Sequence, residues 1–204
     1  LLDYIVATDA DIVRLQEYLV SQTGQSIKSQ RDVNRILNKY PYHSSTALEA
    51  SGKYHIYWLA CFSKYPIEKT HEVVFNSSFN GAAVYTIDVN GKKLAVANVH
   101  LESNSISAED KKLYGDFIQN SDEVNLEDVT SNIRSRLGRA YRMRAAQVRT
   151  VKDHLSELNV DGTLICGDFN DTPISYVYAQ MKEGMDDAFA STGFGPGITY
   201  HKDF

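Results

Sequence analysis

The residues with the clearest chemical potential lie at 164–171, where an apolar run leads into a group of acid and amide side chains. Residues 163–166 (Thr-Leu-Ile-Cys) are typical of a strand that is buried on both faces. Since successive residues of a strand point to opposite faces, Asp168 and Asn170 are predicted to project to the same side at its end. Groups held in this way can bind a cation or a phosphate, but an Asx turn would explain the same cluster.

A histidine lies on the second arm of a predicted β-hairpin. Residues 82–89 and 92–101 flank Asn90-Gly91, the strongest short sequence signal for a hairpin turn. In the second arm, alternate residues share one face, namely Asn98, His100 and Glu102. A lone histidine in a strand is more often a structural group than a catalytic one, so both interpretations stay open at this point.

A glutamate also follows an apolar run. Residues 12–15 (Ile-Val-Arg-Leu) predict a short strand that ends at Gln16-Glu17, so Glu17 is expected at a strand terminus. Glu17, Asp168 and Asn170 together supply the carboxylate and amide oxygens that a hard cation such as Mg²⁺ prefers. The sequence has no Cys/His cluster at zinc-binding spacing and neither a Walker-type phosphate loop nor a Gly-x-Ser-x-Gly motif.

One long helix is predicted over residues 133–155 from the spacing of its apolar residues. Arg144 falls in the middle of the apolar stripe, and a buried arginine needs a carboxylate or carbonyl partner. A structural ion pair is the favoured interpretation, and a phosphate contact is the alternative. A different face carries four basic residues, for which a solvated helix face is a simpler explanation than an anionic partner: Arg134, Arg142, Arg149 and Lys152.

Length and composition indicate one globular domain. The 204 residues are 43% hydrophobic, which is enough for a core, and no segment is long and apolar enough to span a membrane. A formal net charge of −5 argues against a sequence-blind nucleic-acid binder of high affinity. Cys61 and Cys166 lie in apolar runs and are expected to be buried free thiols. Helices over 26–38 and 174–181 and a strand over 54–62 complete a pattern of mixed α/β layers.

Several of these motifs, taken in order along the chain, resemble those of the endonuclease/exonuclease/phosphatase family, which has the deoxyribonuclease-I-like fold. The most specific are Gln-Glu, Asn-x-His-Leu and Gly-Asp-Phe-Asn in series. The resemblance rests on residues 11–17, 62–67, 96–101, 144–147, 165–171 and 199–201.

The resemblance implies an α+β fold, a four-layer α/β sandwich in which two mainly antiparallel sheets pack together with helices outside. It also implies hydrolysis of phosphate esters with Mg²⁺ or Mn²⁺. By matching motifs, Glu17 would be the metal ligand, and His100 would contact or protonate the phosphate. Asp168 would orient or activate the attacking water, and Asn170 would donate to a non-bridging phosphate oxygen. The expected substrate is a nucleic acid, a phospholipid headgroup or a small phosphate ester, and the expected state is a monomer.

The sequence departs from the family pattern at both ends. The family also uses an asparagine on its first strand, an Arg-Ile-Asp-Tyr-like strand and a Ser-Asp-His motif, and none of these is found in the sequence. Residues 1–204 are therefore expected to form a single domain that is truncated at both ends, inactive by itself and with core strands left unpaired. The alternatives are a non-catalytic binding or scaffold domain that retains the sandwich, and a nucleic-acid-binding module that uses the basic helix face.

Overall fold

The computed structural model describes residues 1–21, 27–51, 55–77, 79–104 and 126–195, together with Gly197 and Thr199. The helix predicted to begin near Ser107, and Tyr200 and His201 of the last motif, lie outside these residues. The helices are α1 (Leu2–Thr8), α2 (Gln30–Ile36), α3 (Leu126–Ser156), α4 (Tyr176–Lys182) and α5 (Ala188–Thr192). The strands are β1 (Ile12–Leu19), β2 (Tyr42–Ser51), β3 (His55–Ser63), β4 (Ile67–Val74), β5 (Gly81–Val89), β6 (Lys92–His100) and β7 (Gly162–Asp168). No described helix has the length and apolar character needed to cross a bilayer.

The strands form two sheets. The first has the order β1-β3-β2, and the second has the order β4-β5-β6-β7. All neighbouring strands are antiparallel except β6 and β7, which are parallel because α3 connects them across the sheet. The predicted pair of mainly antiparallel sheets is therefore confirmed.

Three apolar clusters hold these elements in four layers. The first sheet packs on α1 and α2 through Ala60, Phe62 and their neighbours. Alternate residues of the same strand β3, Leu59 and Cys61, contact the second sheet. The opposite face of the second sheet packs on α3, whose contributions include Val148, Val151 and Leu155. The order is therefore helices, sheet, sheet, helix.

The predicted hairpin is present, and its turn has the expected geometry. Asn90 and Gly91 have φ angles of 56° and 84°, the positive values that a type I′ turn requires at both central positions. Strands β5 and β6 pair over their full length from this turn, from Val89 opposite Lys92 to Gly81 opposite His100. The turn therefore sets the register that places His100 at the far end of β6.

The expectation that residues 163–166 are buried on both faces is wrong. Leu164 is 49% exposed, and its neighbours are only half-buried. The reason is position: β7 is the outermost strand of its sheet in the part of the chain that the structure describes, so it pairs on one side only. An apolar run cannot by itself distinguish a central strand from an edge strand.

The cysteine predictions hold in part. Cys61 and Cys166 are both free thiols, and Cys61 is buried between the sheets whereas Cys166 is half-buried in β7. Burial raises the pKa of the Cys61 thiol to about 12. Cys61 therefore remains protonated at neutral pH and acts as a small apolar side chain.

Gly167 is required by the close approach of β6 to β7. A Cβ atom at this position would lie 1.7 Å from the backbone oxygen of Val99, which belongs to the neighbouring strand. We expect Gly167→Ala to lower the free energy of unfolding by about 3 kcal/mol, since two backbones would have to separate. Urea unfolding would measure the change. The matched control is Gly138→Ala in α3, where the nearest atom to the new Cβ is 3.6 Å away and stability should rise by about 0.5–1 kcal/mol.

Candidate active site

Glu17 lies in a β-bulge and not at the predicted strand terminus. Strand β1 continues to Leu19, and its register with β3 shifts between Leu15 and Tyr18. Glu17 has a φ angle of 49°, a left-handed conformation that is rare for residues other than glycine. The bulge turns the carboxylate outward, where it is 73% exposed. The prediction that β1 ends at Glu17 is wrong, because Tyr18 and Leu19, which follow the bulge, pair with β3 again.

Asn98 joins the two sheets directly beneath Glu17. Its side chain is fully buried and donates to the backbone oxygens of Leu15 (3.0 Å) and Ala60 (3.3 Å). Gln16 donates through Nε2 to Asn98 Oδ1. Because these bonds connect β6 to both β1 and β3, they fix the position of Glu17 relative to the end of β6.

His100 is the last residue of β6 and faces the first sheet, as Asn98 does. The side chain is 7% exposed, and Nε2 lies 4.0 Å from Glu17 Oε1. Its Nδ1 atom is buried and makes no hydrogen bond within the described ranges. The histidine therefore presents one nitrogen to the carboxylate of Glu17 from a rigid position.

Asp168 and Asn170 lie beside His100. In the parallel pairing of β6 and β7, Asp168 is the register partner of His100. The backbone N–H of Asn170 donates to Asp168 Oδ1 (2.9 Å), and Asn170 Nδ2 donates to the Leu101 oxygen (2.9 Å). The Asx turn considered from the sequence is thus present, and it follows the end of β7 beside His100, which itself lies 4.0 Å from Glu17.

The buried arginine has the carboxylate partner that the sequence analysis favoured. Arg144 is fully buried, and its Nε atom donates to Asp171 Oδ2 at 3.1 Å. Its Nη1 atom donates to the oxygen of Glu102 (2.9 Å) and to Asn104 Oδ1 (2.8 Å). The structural ion pair is therefore confirmed, and it anchors the segment that follows Asn170 to α3.

A second network supports the segment after His100, and the sequence analysis missed most of it. Glu102 accepts a hydrogen bond from Ser77 Oγ, and its backbone N–H donates to Gln147 Oε1 at 2.9 Å. Asn80 donates through Nδ2 to the Leu101 oxygen (2.7 Å), the same atom that accepts from Asn170. Gln147 lies in the segment 144–147, on which the family resemblance partly rests, but Ser77 and Asn80 belong to a polar loop in which nothing distinguishes them.

The comparison that decides the family covers the whole chain. A sequence model described as the Endonuclease/Exonuclease/phosphatase family matches residues 1–204. The chain belongs to this family. No curated protein sequence was found to match it.

Solved structures of the family have the same fold. Sphingomyelinase C from Streptomyces griseocarneus matches with a TM-score of 0.57 and 19% identity, over 89% of this chain and 60% of that chain. A mutant beta toxin from Staphylococcus aureus with bound magnesium ions matches with a TM-score of 0.53 and 20% identity. The match covers 88% of this chain and 59% of that chain. Humanized D. rerio TDP2 with 14 mutations matches with a TM-score of 0.52 and 15% identity. The match covers 92% of this chain and 58% of that chain. The chain thus spans about three fifths of these structures, and at such identities they confirm the predicted sandwich fold alone.

The donor groups at the candidate site suit a hard cation that keeps most of its water. Among the described residues, no three His, Cys, Asp or Glu side chains are grouped closely enough to hold a metal ion. The exposed carboxylate of Glu17 could provide one oxygen, and Mg²⁺ commonly binds through one or two carboxylates plus water and substrate oxygens. The residues present therefore fit Mg²⁺ better than a metal that requires a closed protein cage.

Among the described residues, the candidate site has two exposed carboxylates, those of Glu17 and Asp168. A cavity of about 990 Å³ does lie beside β7, and its lining includes Arg14, Cys166 and Phe169. Glu17, His100, Asp168 and Asn170 are not part of that lining.

Proposed function

We propose that the protein is a Mg²⁺-dependent hydrolase of phosphate esters, a phosphodiesterase or a phosphatase, that Mn²⁺ can also support. The observation that carries the proposal is that Glu17 of the first sheet lies 4.0 Å from His100 of the second, whose register partner is Asp168. Membership of the endonuclease/exonuclease/phosphatase family supports it. Phosphoryl transfer needs mainly positioning and charge neutralisation, which rigid strand ends can provide.

In this proposal Glu17 holds the cation at the outer side of the site. When bound, Mg²⁺ neutralises negative charge on the phosphate and on the departing oxygen. The bulge in β1 suits Glu17 to this role, because it exposes the carboxylate while Gln16 and Asn98 hold the adjacent backbone. His100 donates a hydrogen bond to a phosphoryl oxygen from its buried position next to Glu17.

Asp168 orients and activates the water that attacks phosphorus. Its Oδ1 atom already accepts from Asn170, so Oδ2 is the oxygen left to accept a hydrogen bond from water. Asn170 has two amide hydrogens, and only one is used on the Leu101 oxygen. The second can be donated to a non-bridging phosphate oxygen. As the bond from water to phosphorus forms, Asp168 takes a proton from the water. The bond from phosphorus to the ester oxygen breaks, and that oxygen takes a proton from solvent and leaves as an alcohol or hydroxyl group.

The substrate class remains a choice among a nucleic acid, a phospholipid headgroup and a small phosphate ester. A sphingomyelinase among the similar structures favours testing phospholipids alongside nucleic acids. The acidic net charge of −5 disfavours duplex nucleic acid held mainly by backbone charge. The exposure of Glu17 and Asp168 suits a substrate that is larger than its reacting group.

Metal titration of wild-type and Glu17→Gln protein tests the proposed metal ligand. Full-length protein freed of metal by chelation should be inactive and should regain turnover with Mg²⁺. Glu17→Gln should raise the Mg²⁺ concentration for half-maximal rate by about tenfold or more, because it removes the charged ligand. Glu157→Gln, an exposed change beyond the end of α3, serves as the control. Turnover that persists after chelation would remove the metal from the proposal, and no turnover on any ester class would favour a binding domain.

A further inference from the structure

Two histidines meet where α3 packs on the edge strand β4. His71 shares a face of β4 with Val73, which belongs to the cluster packed against α3. His154 precedes Leu155 of the same cluster. The centroids of the two imidazole rings are 5.4 Å apart, and their planes are inclined by 58°.

One nitrogen of this pair lacks a hydrogen bond. His154 Nε2 is buried and has no partner within the part of the chain that the structure describes. A buried ring nitrogen is ordinarily satisfied by a protein group, by water or by a metal. The lone pair of a neutral imidazole nitrogen that lies against a second imidazole is a ready metal ligand.

The spacing of the rings agrees with a shared metal ion. A zinc–nitrogen bond is about 2.0–2.1 Å long and lies in the ring plane, so two imidazoles on one tetrahedral zinc have centroids about 5–6 Å apart. The separation of 5.4 Å between His71 and His154 falls in this range. An ordinary tilted ring contact has a similar separation, so the observation that favours a metal is the buried His154 Nε2 atom, which has no partner among the described residues.

We propose that His71 and His154 bind one Zn²⁺ or a similar transition-metal ion that connects α3 to β4. Imidazole nitrogens suit zinc, copper and nickel, whereas Mg²⁺ prefers oxygen ligands. Among the described residues no third His, Cys, Asp or Glu joins the pair, so water fills the remaining positions and binding is reversible. The site is separate from the candidate active site, because strand β5 lies between β4 and β6.

Zinc titration by calorimetry tests the site in full-length protein, with saturating Mg²⁺ present. Wild-type protein should bind one zinc ion, and zinc should raise its melting temperature. His71→Asn and His154→Gln should each weaken zinc binding by about tenfold or more while the metal-free proteins remain folded. Two controls should bind zinc as the wild type does: His43→Asn, an exposed histidine on β2, and Glu17→Gln at the candidate active site.

The proposal is overturned if wild-type protein binds no zinc, or if zinc binds equally well to both histidine variants. Loss of zinc binding in Glu17→Gln alone would assign the metal to the candidate active site instead. If His154→Gln fails to fold without metal, the half-buried His71 on the edge strand still decides the question. The result is independent of whether the protein hydrolyses phosphate esters.

Discussion

Asp168→Asn should lower the turnover of a phosphate-ester substrate by about 10²-fold or more while the fold is unchanged. The substitution removes the negative charge that orients and activates the attacking water. It retains an Oδ1 atom that can accept the backbone N–H of Asn170, so the Asx turn is kept. Full-length protein with saturating Mg²⁺ and one fixed substrate should therefore show a lower kcat with an unchanged melting temperature.

Comparison variants separate a chemical effect from a structural one. Asp168→Ala removes both the charge and the acceptor of the turn, so it should lower turnover at least as far and also lower stability. Asp153→Asn in α3 removes an exposed carboxylate that is not one of the candidate site residues, and it should leave turnover unchanged. If Asp168→Asn retained full turnover, Asp168 would have no part in the mechanism. Another group would then have to activate the attacking water.

The sequence predicted well those features that depend on local residues. The turn at Asn90-Gly91 depends only on its own two residues, because the turn needs two positive φ angles and asparagine and glycine tolerate them. Side chains alternate between the two faces of any strand, and this alternation placed Asn98 and His100 on one face of β6. The buried position of Arg144 was equally predictable, because helical periodicity put it in the apolar stripe and burial required a partner.

Features that depend on distant parts of the chain were not predictable in the same way. Strands β2 and β4 are rich in polar residues and carry no clear apolar alternation, and their pairing with β3 and β5 makes them strands. The bulge at Glu17 becomes visible only as a shift in register against β3. The partner of Arg144 is Asp171, 27 positions away, which no local pattern could have selected from the other acidic residues.

The Arg144–Asp171 pair is where we expect the largest loss of stability. Arg144→Met replaces the guanidinium by an apolar side chain of similar length and leaves the carboxylate of Asp171 buried without its counter-charge. We expect the free energy of unfolding to fall by about 3–5 kcal/mol, because an uncompensated buried charge is far costlier than the intact pair. Equilibrium urea unfolding would measure the change, with Arg142→Met as a control at an exposed position of the same helix.

A double-mutant cycle shows whether the lower free energy of unfolding of Arg144→Met comes from the unpaired buried carboxylate of Asp171. Asp171→Asn keeps an Oδ1 atom that can accept the backbone N–H of Thr172, and it removes both the charge and the Oδ2 acceptor of Arg144 Nε. Arg144→Met combined with Asp171→Asn should therefore be less destabilised than the sum of the two single changes. Strict additivity would mean that the hydrogen bonds of Arg144 to Glu102 and Asn104 account for its contribution. In either case the segment after Asn170 loses its anchor, so turnover should fall with stability in the arginine variant.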